Sequence, residues 1–129
     1  MALLVLDTSV VVGWFDRNDA LYDRATEALR RARMDEKVLP ASAYAESMVL
    51  PNRLGPKAVA ALDEALITLP VRIEPITADI ARRAAVLRAR HASLPLGDAL
   101  VLACGEALGA IVLTGDRAWA KVGARVRLI

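Results

Sequence analysis

Four acidic residues lie beside apolar segments, at positions from which they could share one site. Asp7 and Asp116 each follow a short apolar run. Asp98 opens an apolar segment, and Glu46 lies soon after another apolar run. An Asp at a helix N-terminus ordinarily accepts hydrogen bonds from free backbone amides. If the four carboxylates meet instead, their repulsion requires that some of them bind protons or that they share a cation.

A cluster of carboxylates predicts metal-assisted chemistry on phosphate. Carboxylate oxygens together with water suit Mg²⁺ or Mn²⁺ and not zinc. One cysteine and one histidine are too few for a zinc site, and Cys104 lies inside an apolar segment. Hard oxygen ligands without a catalytic His or Cys therefore indicate metal-assisted phosphoryl chemistry.

Three hydroxyl residues, Thr8, Ser9 and Thr114, stand next to these acids in the sequence. They could orient a carboxylate or a metal-bound water. Ordinary hydrogen bonding within turns and caps explains them equally well. His91 continues the apolar stripe of its predicted helix, which favours a packed or half-buried side chain over a catalytic one.

The segment 94–116 is predicted to place two of the acids at the ends of a buried helix and a buried strand. Every residue from Ala99 to Cys104 is apolar, and Gly109 is suited to end the helix in the left-handed conformation. Residues 110–113 form an apolar run without polar alternation. Such a run is typical of a central strand in a parallel sheet that is covered on both faces.

The rest of the chain alternates between predicted strands and helices. Strands are predicted at 3–6, 38–39, 71–73 and 126–129, the last at an edge. One helix is predicted from Ala20 to about Met34, with Asn18 or Asp19 as its cap, and a second from its cap Ser42 to Pro51. Two more are predicted from Gly55-Pro56 to about Thr68 and from the cap Thr77 to about Arg90. A short turn or helix is predicted at Trp119. This alternation predicts a parallel sheet with helices on both faces. Ligands of such sheets bind at the carboxyl ends of the strands, where Asp7 and Asp116 are expected; the placement of Asp98 there is less constrained.

The composition fits a small domain that has an apolar core. The 129 residues suit one domain, 1–129, and a hydrophobic content of 56% should leave some apolar helix surface for a partner. A net charge of +2 excludes a polycation, and 4% aromatic residues argue against a surface that stacks many bases. A lone cysteine, with no signal peptide or membrane span in the pattern, predicts a reducing, cytoplasmic location.

The sequence resembles PIN-domain proteins, and more narrowly the VapC-type toxin ribonucleases of toxin–antitoxin pairs. The resemblance extends along the whole chain and rests on four segments in order: LDTS with Asp7, PASAYAES with Glu46, LPLGDALVLA with Asp98, and LTGDRAW with Asp116. It implies a three-layer α/β/α sandwich with a central, mostly parallel sheet.

The resemblance also implies an activity and partners. The activity is that of an RNA endonuclease using Mg²⁺ or Mn²⁺ held by Asp7, Glu46, Asp98 and Asp116, with the three aspartates as the predicted metal ligands. Water on the metal would attack the phosphodiester and leave a 5′-phosphate and a 3′-hydroxyl. Thr114 would match the family's polar residue near the metal, and Thr8 and Ser9 its first-loop hydroxyls. The implied partners are RNA, a second copy of the chain in a homodimer, and an antitoxin whose tail covers the helices.

Two residues near the acids affect this interpretation. Arg117, next to Asp116, is the best candidate among the arginines to contact the RNA backbone. Gly97 departs from the resemblance, because a small residue with a side chain is common before Asp98. Glycine makes the entry to that helix more flexible.

Two other functions remain possible from the sequence. A phosphatase with an aspartyl nucleophile also has an Asp at the end of its first strand, but it needs a second Asp where this chain has Ser9. A non-catalytic PIN-fold module that binds an antitoxin is the second. The complete set of acids argues against the loss of activity.

Overall fold

The computed structural model describes residues 1–122 and 125–129. Within them the chain forms five strands, β1 (Leu3–Leu6), β2 (Glu36–Pro40), β3 (Arg72–Glu74), β4 (Ile111–Thr114) and β5 (Val126–Leu128). The same residues form six α-helices, α1 (Thr8–Phe15), α2 (Tyr22–Arg31), α3 (Ala41–Leu54), α4 (Pro56–Thr68), α5 (Ala78–Arg90) and α6 (Leu96–Leu108), and a 3-10 helix (Arg117–Lys121). The predicted three-layer α/β/α architecture is confirmed.

The sheet is parallel and its strand order is β3-β2-β1-β4-β5. The chain builds the sheet outward from β1 in one direction through β2 and β3, and then adds β4 and β5 on the other side. The order therefore reverses between β1 and β4, and such a switch point opens a crevice at the carboxyl ends of the two strands. The N–H of Asp7 donates to the carbonyl of Leu113 at 3.0 Å, so the chain stays paired up to this crevice.

The central strands are apolar because both of their faces are covered. Leu4, Val5 and Leu6 of β1 and Val38 and Leu39 of β2 are fully buried. Burying each such side chain contributes on the order of 1.5–3 kcal/mol. The runs at 3–6, 38–39 and 110–113 are therefore strands as predicted, with β4 beginning at Ile111.

Helix α6 lies close against β4 because Gly105 faces the strand. A Cβ placed on Gly105 would lie 2.4 Å from Cγ2 of Val112, so any larger residue there would force the Val112 side chain or the helix to shift. The helix ends at Gly109, whose φ of 61° is the left-handed conformation predicted for this residue. Thr77 caps α5 as predicted, since its hydroxyl accepts from the N–H of Ile80 at 3.2 Å.

The predicted ends of helix α3 are wrong. Helix α3 begins at Ala41 directly after β2, so the extended backbone of Pro40 takes the N-cap position that was predicted for Ser42. Pro51 lies inside the helix, which continues to Leu54, and its ring is buried. Packing of this ring outweighs the hydrogen bond that proline cannot donate. The helix ends instead at Gly55, whose φ of 125° suits glycine alone.

The helix predicted from Ala20 to about Met34 is shorter at both ends. Helix α2 spans Tyr22–Arg31, because the carboxylate of Asp19 accepts from the N–H of Leu21 at 2.8 Å and closes a turn before the helix. The other predicted helices match α4, α5 and α6 closely, and β3 and β5 lie within one residue of their predicted positions. Among the residues that the structure describes, no helix combines the length and the apolar character that a membrane span needs.

Candidate functional site

Asp7 is a buried carboxylate at the point where the strand order reverses. It directly follows β1 and caps α1, and its side chain is almost completely shielded from solvent. Its carboxylate accepts three hydrogen bonds, from the N–H of Thr8 at 2.8 Å, from the hydroxyl of Ser9 at 2.7 Å and from the hydroxyl of Thr114 at 2.9 Å. Burial nevertheless raises the pKa of Asp7, although these hydrogen bonds act in the opposite direction.

The hydroxyls of Ser9, in the first turn of α1, and of Thr114, at the end of β4, connect these two elements. Besides donating to Asp7, the Ser9 oxygen accepts from the N–H of Gly115 at 3.0 Å. The Thr114 oxygen accepts in the same way from the N–H of Asp116 at 3.1 Å. The two hydroxyls thus hold the Asp7 and Asp116 backbones in a fixed relation. The Thr8 hydroxyl is buried and makes no hydrogen bond within the described residues.

Asp98 and Glu46 lie near Asp7 and are affected by its charge. Burial raises the pKa of Asp98, and the charges of Asp7 and Asp116 raise it further, while a hydrogen bond from Trp119 lowers it. Burial also raises the pKa of Glu46, with added contributions from the charges of Asp7 and Asp98. Asp98 is thus the acid that the charges of both Asp7 and Asp116 affect, and Glu46 is affected by Asp7 and Asp98.

The simple capping explanation accounts for two of the aspartates and fails for the third. Asp7 caps α1, and the carboxylate of Asp116 accepts from the N–H of Ala118 at 2.9 Å and caps the 3-10 helix. Asp98 lies in the first turn of α6, yet its carboxylate accepts from the indole N–H of Trp119 at 3.3 Å rather than from a backbone amide of its own helix.

Gly97 leaves the space that the carboxylate of Glu46 occupies. A Cβ on Gly97 would lie 2.5 Å from Oε1 of Glu46, so any larger residue at this position has to displace that carboxylate. The departure from the usual sequence before Asp98 is thus matched by a close contact between α6 and α3. Sequence reasoning identified the glycine but not this contact.

The donor set fits a hard divalent cation in chemistry. The four acids and the neighbouring hydroxyls offer oxygen ligands only, as Mg²⁺ and Mn²⁺ prefer. None of the ion pairs formed within residues 1–122 and 125–129 involves these four carboxylates. Their mutual repulsion is therefore not offset by a paired Lys or Arg, and a shared cation would offset it.

The carboxylates do not converge on one point in this conformation. Over the described ranges, no three His, Cys, Asp or Glu side chains stand close enough together to hold one metal ion. Each aspartate instead uses a nearby donor: Ser9 and Thr114 for Asp7, Trp119 for Asp98, and a backbone amide for Asp116. Convergence on a cation requires rotation of side chains.

A cavity of about 320 Å³ adjoins two of the acids. Its walls come from the α5–α6 connection and from the 3-10 helix, and it is lined by His91, Ser93, Leu94, Pro95, Asp98, Asp116, Ala118, Trp119, Lys121 and Val122. His91 is half-buried, as the sequence indicated, but its place beside the acids was not anticipated. A larger cavity of about 570 Å³ lies between α2 and β5, and none of the four acids lines it.

The predicted RNA contact, Arg117, is exposed at the start of the 3-10 helix, next to Asp116. It does not line the cavity beside the acids, whereas Lys121 from the same short helix does. Only the three-dimensional arrangement distinguishes these two cations, since both lie within six residues of Asp116 in the sequence.

Helices α1, α3 and α4 form an apolar groove of about 220 Å³ on another part of the surface. Val11, Val12 and Phe15 of α1 and Leu50 and Leu54 of α3 contribute to its lining. Leu54 is 71% exposed and Leu50 is 51% exposed, which is unusual for leucine on a helix next to an apolar groove.

Comparison with known proteins supports one family. A family model described as PIN domain matches residues 4–125. A chain of a toxin–antitoxin complex from Klebsiella pneumoniae is 25% identical with a TM-score of 0.79, covering 96% of this chain and 95% of that chain. Mycobacterium tuberculosis VapC20, a toxin that cleaves the sarcin-ricin loop, is 23% identical with a TM-score of 0.76, covering 93% and 95%.

DNA-bound VapBC from Salmonella typhimurium provides a further structural match, 16% identical with a TM-score of 0.80 and covering 99% of this chain and 98% of that chain. Among curated proteins, none matches this sequence. The full coverage shows that the fold is that of VapC toxins. Because the family model matches all but a few residues at each end, the chain belongs to the PIN-domain family.

Proposed function

We propose that this protein is a Mg²⁺-dependent endoribonuclease and the toxin of a type II toxin–antitoxin pair, with Mn²⁺ as a possible alternative cation. The observation that supports this most is the buried Asp7 at the switch point, with the charges of Glu46 and Asp98 acting on the same crevice. Membership of the PIN-domain family, whose members are typically nucleases, adds to it.

Each acid has a defined task in this proposal. Asp7, Asp98 and Asp116 would hold the cation, with Glu46 beside them. A divalent cation bound there supplies stabilisation of charge at phosphorus and a water of lowered pKa. Hydrolysis forms a bond from the water oxygen to phosphorus and breaks the bond to the 3′ oxygen, which leaves as a hydroxyl and so yields a 5′-phosphate.

Neighbouring side chains hold the acids in place for this chemistry. Ser9 and Thr114 fix the orientation of the Asp7 carboxylate through hydrogen bonds of 2.7 and 2.9 Å. The indole of Trp119, itself buried, holds Asp98. Such supporting hydrogen bonds reduce the reorganisation that binding a cation and substrate requires.

Replacement of Asp98 tests the proposed activity. We expect Asp98→Asn to lower metal-dependent cleavage of total cellular RNA by at least about a hundredfold, because it removes one ligand charge. Asp79→Asn is the matched control, since Asp79 is an exposed aspartate of α5 paired with Arg83. Equal cutting by Asp98→Asn and the parent protein would contradict the assignment. Absence of cutting by the parent with Mg²⁺ and with Mn²⁺ would favour the non-catalytic, antitoxin-binding alternative.

The raised pKa values of Asp7, Glu46 and Asp98 predict a pH-dependent stability without metal. Below the ordinary carboxyl pKa all three are protonated in both states. As the pH rises, the unfolded chain releases these protons first, so the folded state binds more protons and stability falls until the folded pKa values are passed.

Thermal unfolding in EDTA measures this effect. We expect the stability of Asp98→Asn relative to the parent to increase as the pH rises from about 4 towards neutrality, because the variant lacks one of the penalised charges. Mg²⁺ at a hundredfold excess over the parent's Kd should then stabilise the parent by about 2.7 kcal/mol and the variant by less. The same Mg²⁺ effect in both proteins would count against a metal site at Asp98.

Substitution of Gly97 tests the position of Glu46. We expect Gly97→Ala to lower cleavage about tenfold, because its methyl group displaces the Glu46 carboxylate. Stability should be unchanged or slightly higher, since alanine is the better helix former. The double variant Gly97→Ala/Glu46→Gln should lose little more cleavage activity than either single variant. Fully additive losses would show that Gly97 acts independently of Glu46. Leu96→Ala, at the exposed preceding position, serves as the control.

The apolar groove between α1, α3 and α4 is the proposed binding site of an antitoxin segment. The matched structure from Klebsiella pneumoniae is a toxin–antitoxin complex. The exposed Leu50 and Leu54 would lose their contact with water in such a complex.

A charge in this groove should weaken the complex. We expect Leu54→Lys to reduce affinity for the cognate antitoxin at least about tenfold in calorimetric titration. Ile67→Lys is the matched control, because Ile67 is equally exposed on α4 but does not line the groove. Equal affinities of the two variants would show that the antitoxin binds elsewhere.

The predicted homodimer and the predicted cytoplasmic location stay predictions. Sedimentation of the purified chain tests the first, and fractionation of cells tests the second.

A further inference from the structure

The cavity beside Asp98 and Asp116 has the size of a site for one small ligand. Its volume of about 320 Å³ lies at the lower end of the range for ligand-binding cavities. It opens directly next to the two carboxylates, so any molecule inside it is adjacent to the reacting phosphate of the proposed function. The cavity is therefore too small for a folded RNA element and large enough for one nucleotide.

The lining of the cavity divides into a polar and an apolar part. Lys121, Ser93 and His91 supply hydrogen-bond donors, and Lys121 is the permanent cation among the lining residues. Leu94, Pro95 and Val122 supply apolar surface, while Trp119 is buried and forms the floor rather than an open stacking platform. A phosphate, a sugar and a planar base match this combination of groups.

The charge distribution explains why a cation is needed at this place. The carboxylates of Asp98 and Asp116 repel RNA phosphates, and a positive charge beside them reduces this repulsion for a phosphate next to the one that reacts. Lys121 provides such a charge from within the cavity, whereas Arg117 lies outside it.

We propose that this cavity binds the nucleotide of the RNA substrate next to the scissile phosphodiester, with Lys121 and Ser93 contacting its phosphate and Pro95 and Val122 its base. The proposal rests on the proposed ribonuclease function and adds a substrate subsite to it. Pro95 and Val122 thereby become residues that influence which RNA sequence is cut, and Lys121 one that positions the RNA, without taking part in the bond-breaking step.

The chain contains its own reporter for this subsite. Trp14 and Trp119 are its two tryptophans, and Trp119 lines the cavity. In Trp14→Phe, all indole fluorescence therefore arises from the cavity. We expect titration of this variant with AMP, CMP, GMP and UMP in EDTA to change the fluorescence saturably, with different Kd values for the four nucleotides.

Substitution of the cation identifies its role. Adding Lys121→Met should raise the nucleotide Kd about tenfold, the cost of losing one charge-assisted hydrogen bond. Lys57→Met, at an exposed lysine on α4, should leave the Kd unchanged. Unchanged melting temperatures of both variants verify that folding is preserved. In RNA cleavage, Lys121→Met should raise KM and leave kcat nearly unchanged.

Several outcomes would overturn the subsite. These are the absence of a saturable fluorescence change, equal Kd values for Lys121→Met and its parent, or inorganic phosphate binding as tightly as every nucleotide. The nuclease proposal can fail separately. If nucleotide binding depends on Lys121 but the protein cuts no RNA, the nucleotide site is supported and the nuclease proposal is contradicted. If Lys121→Met cuts RNA in a metal-dependent reaction with an unchanged KM, the subsite proposal is contradicted and the nuclease proposal is not.

Discussion

The burial of the Asp7 carboxylate is the constraint on which the site depends. A charge taken out of water costs free energy that hydrogen bonds only partly offset, and three hydrogen bonds to Asp7 leave its pKa raised. Glu46 and Asp98 add further negative charge to the same crevice. A cation bound at this crevice, as proposed above, would offset this cost.

The strand order of the sheet places the buried Asp7 next to polar residues of other elements. Because the order reverses between β1 and β4, the carboxyl ends of both strands meet at one edge. There the Thr114 hydroxyl donates to the Asp7 carboxylate, and the Ser9 hydroxyl accepts from the N–H of Gly115. Helix α6 then brings Asp98 against the 3-10 helix through Trp119. Elements separated by about a hundred residues in sequence thus become one cluster through ordinary parallel-sheet topology.

Apolar runs and turn residues were sufficient to predict the strands, the stop at Gly109 and the position of Asp7 and Asp116 after their strands. The ends of α3 were not predictable, because burial of Pro51 and the direct passage from β2 into the helix are tertiary effects that outweigh local preferences. The cavity was also not predictable, since His91 and Lys121 belong to separate connections with no shared pattern. The contact of Gly97 with Glu46 depends on the distance between two helices, which sequence spacing does not contain.

Helix α3 belongs to both surfaces described above. Glu46 lies one helical turn before Leu50 on the same side of α3, so the residue beside the acids and the residue in the apolar groove are neighbours on one rigid element. A segment seated in the groove that shifts α3 also shifts Glu46. If a cation binds at the acids and a partner binds in the groove, as proposed above, thermodynamic reciprocity requires that each changes the affinity of the other by the same factor. Partner and metal are in that case coupled through the helix, without any partner residue entering the crevice.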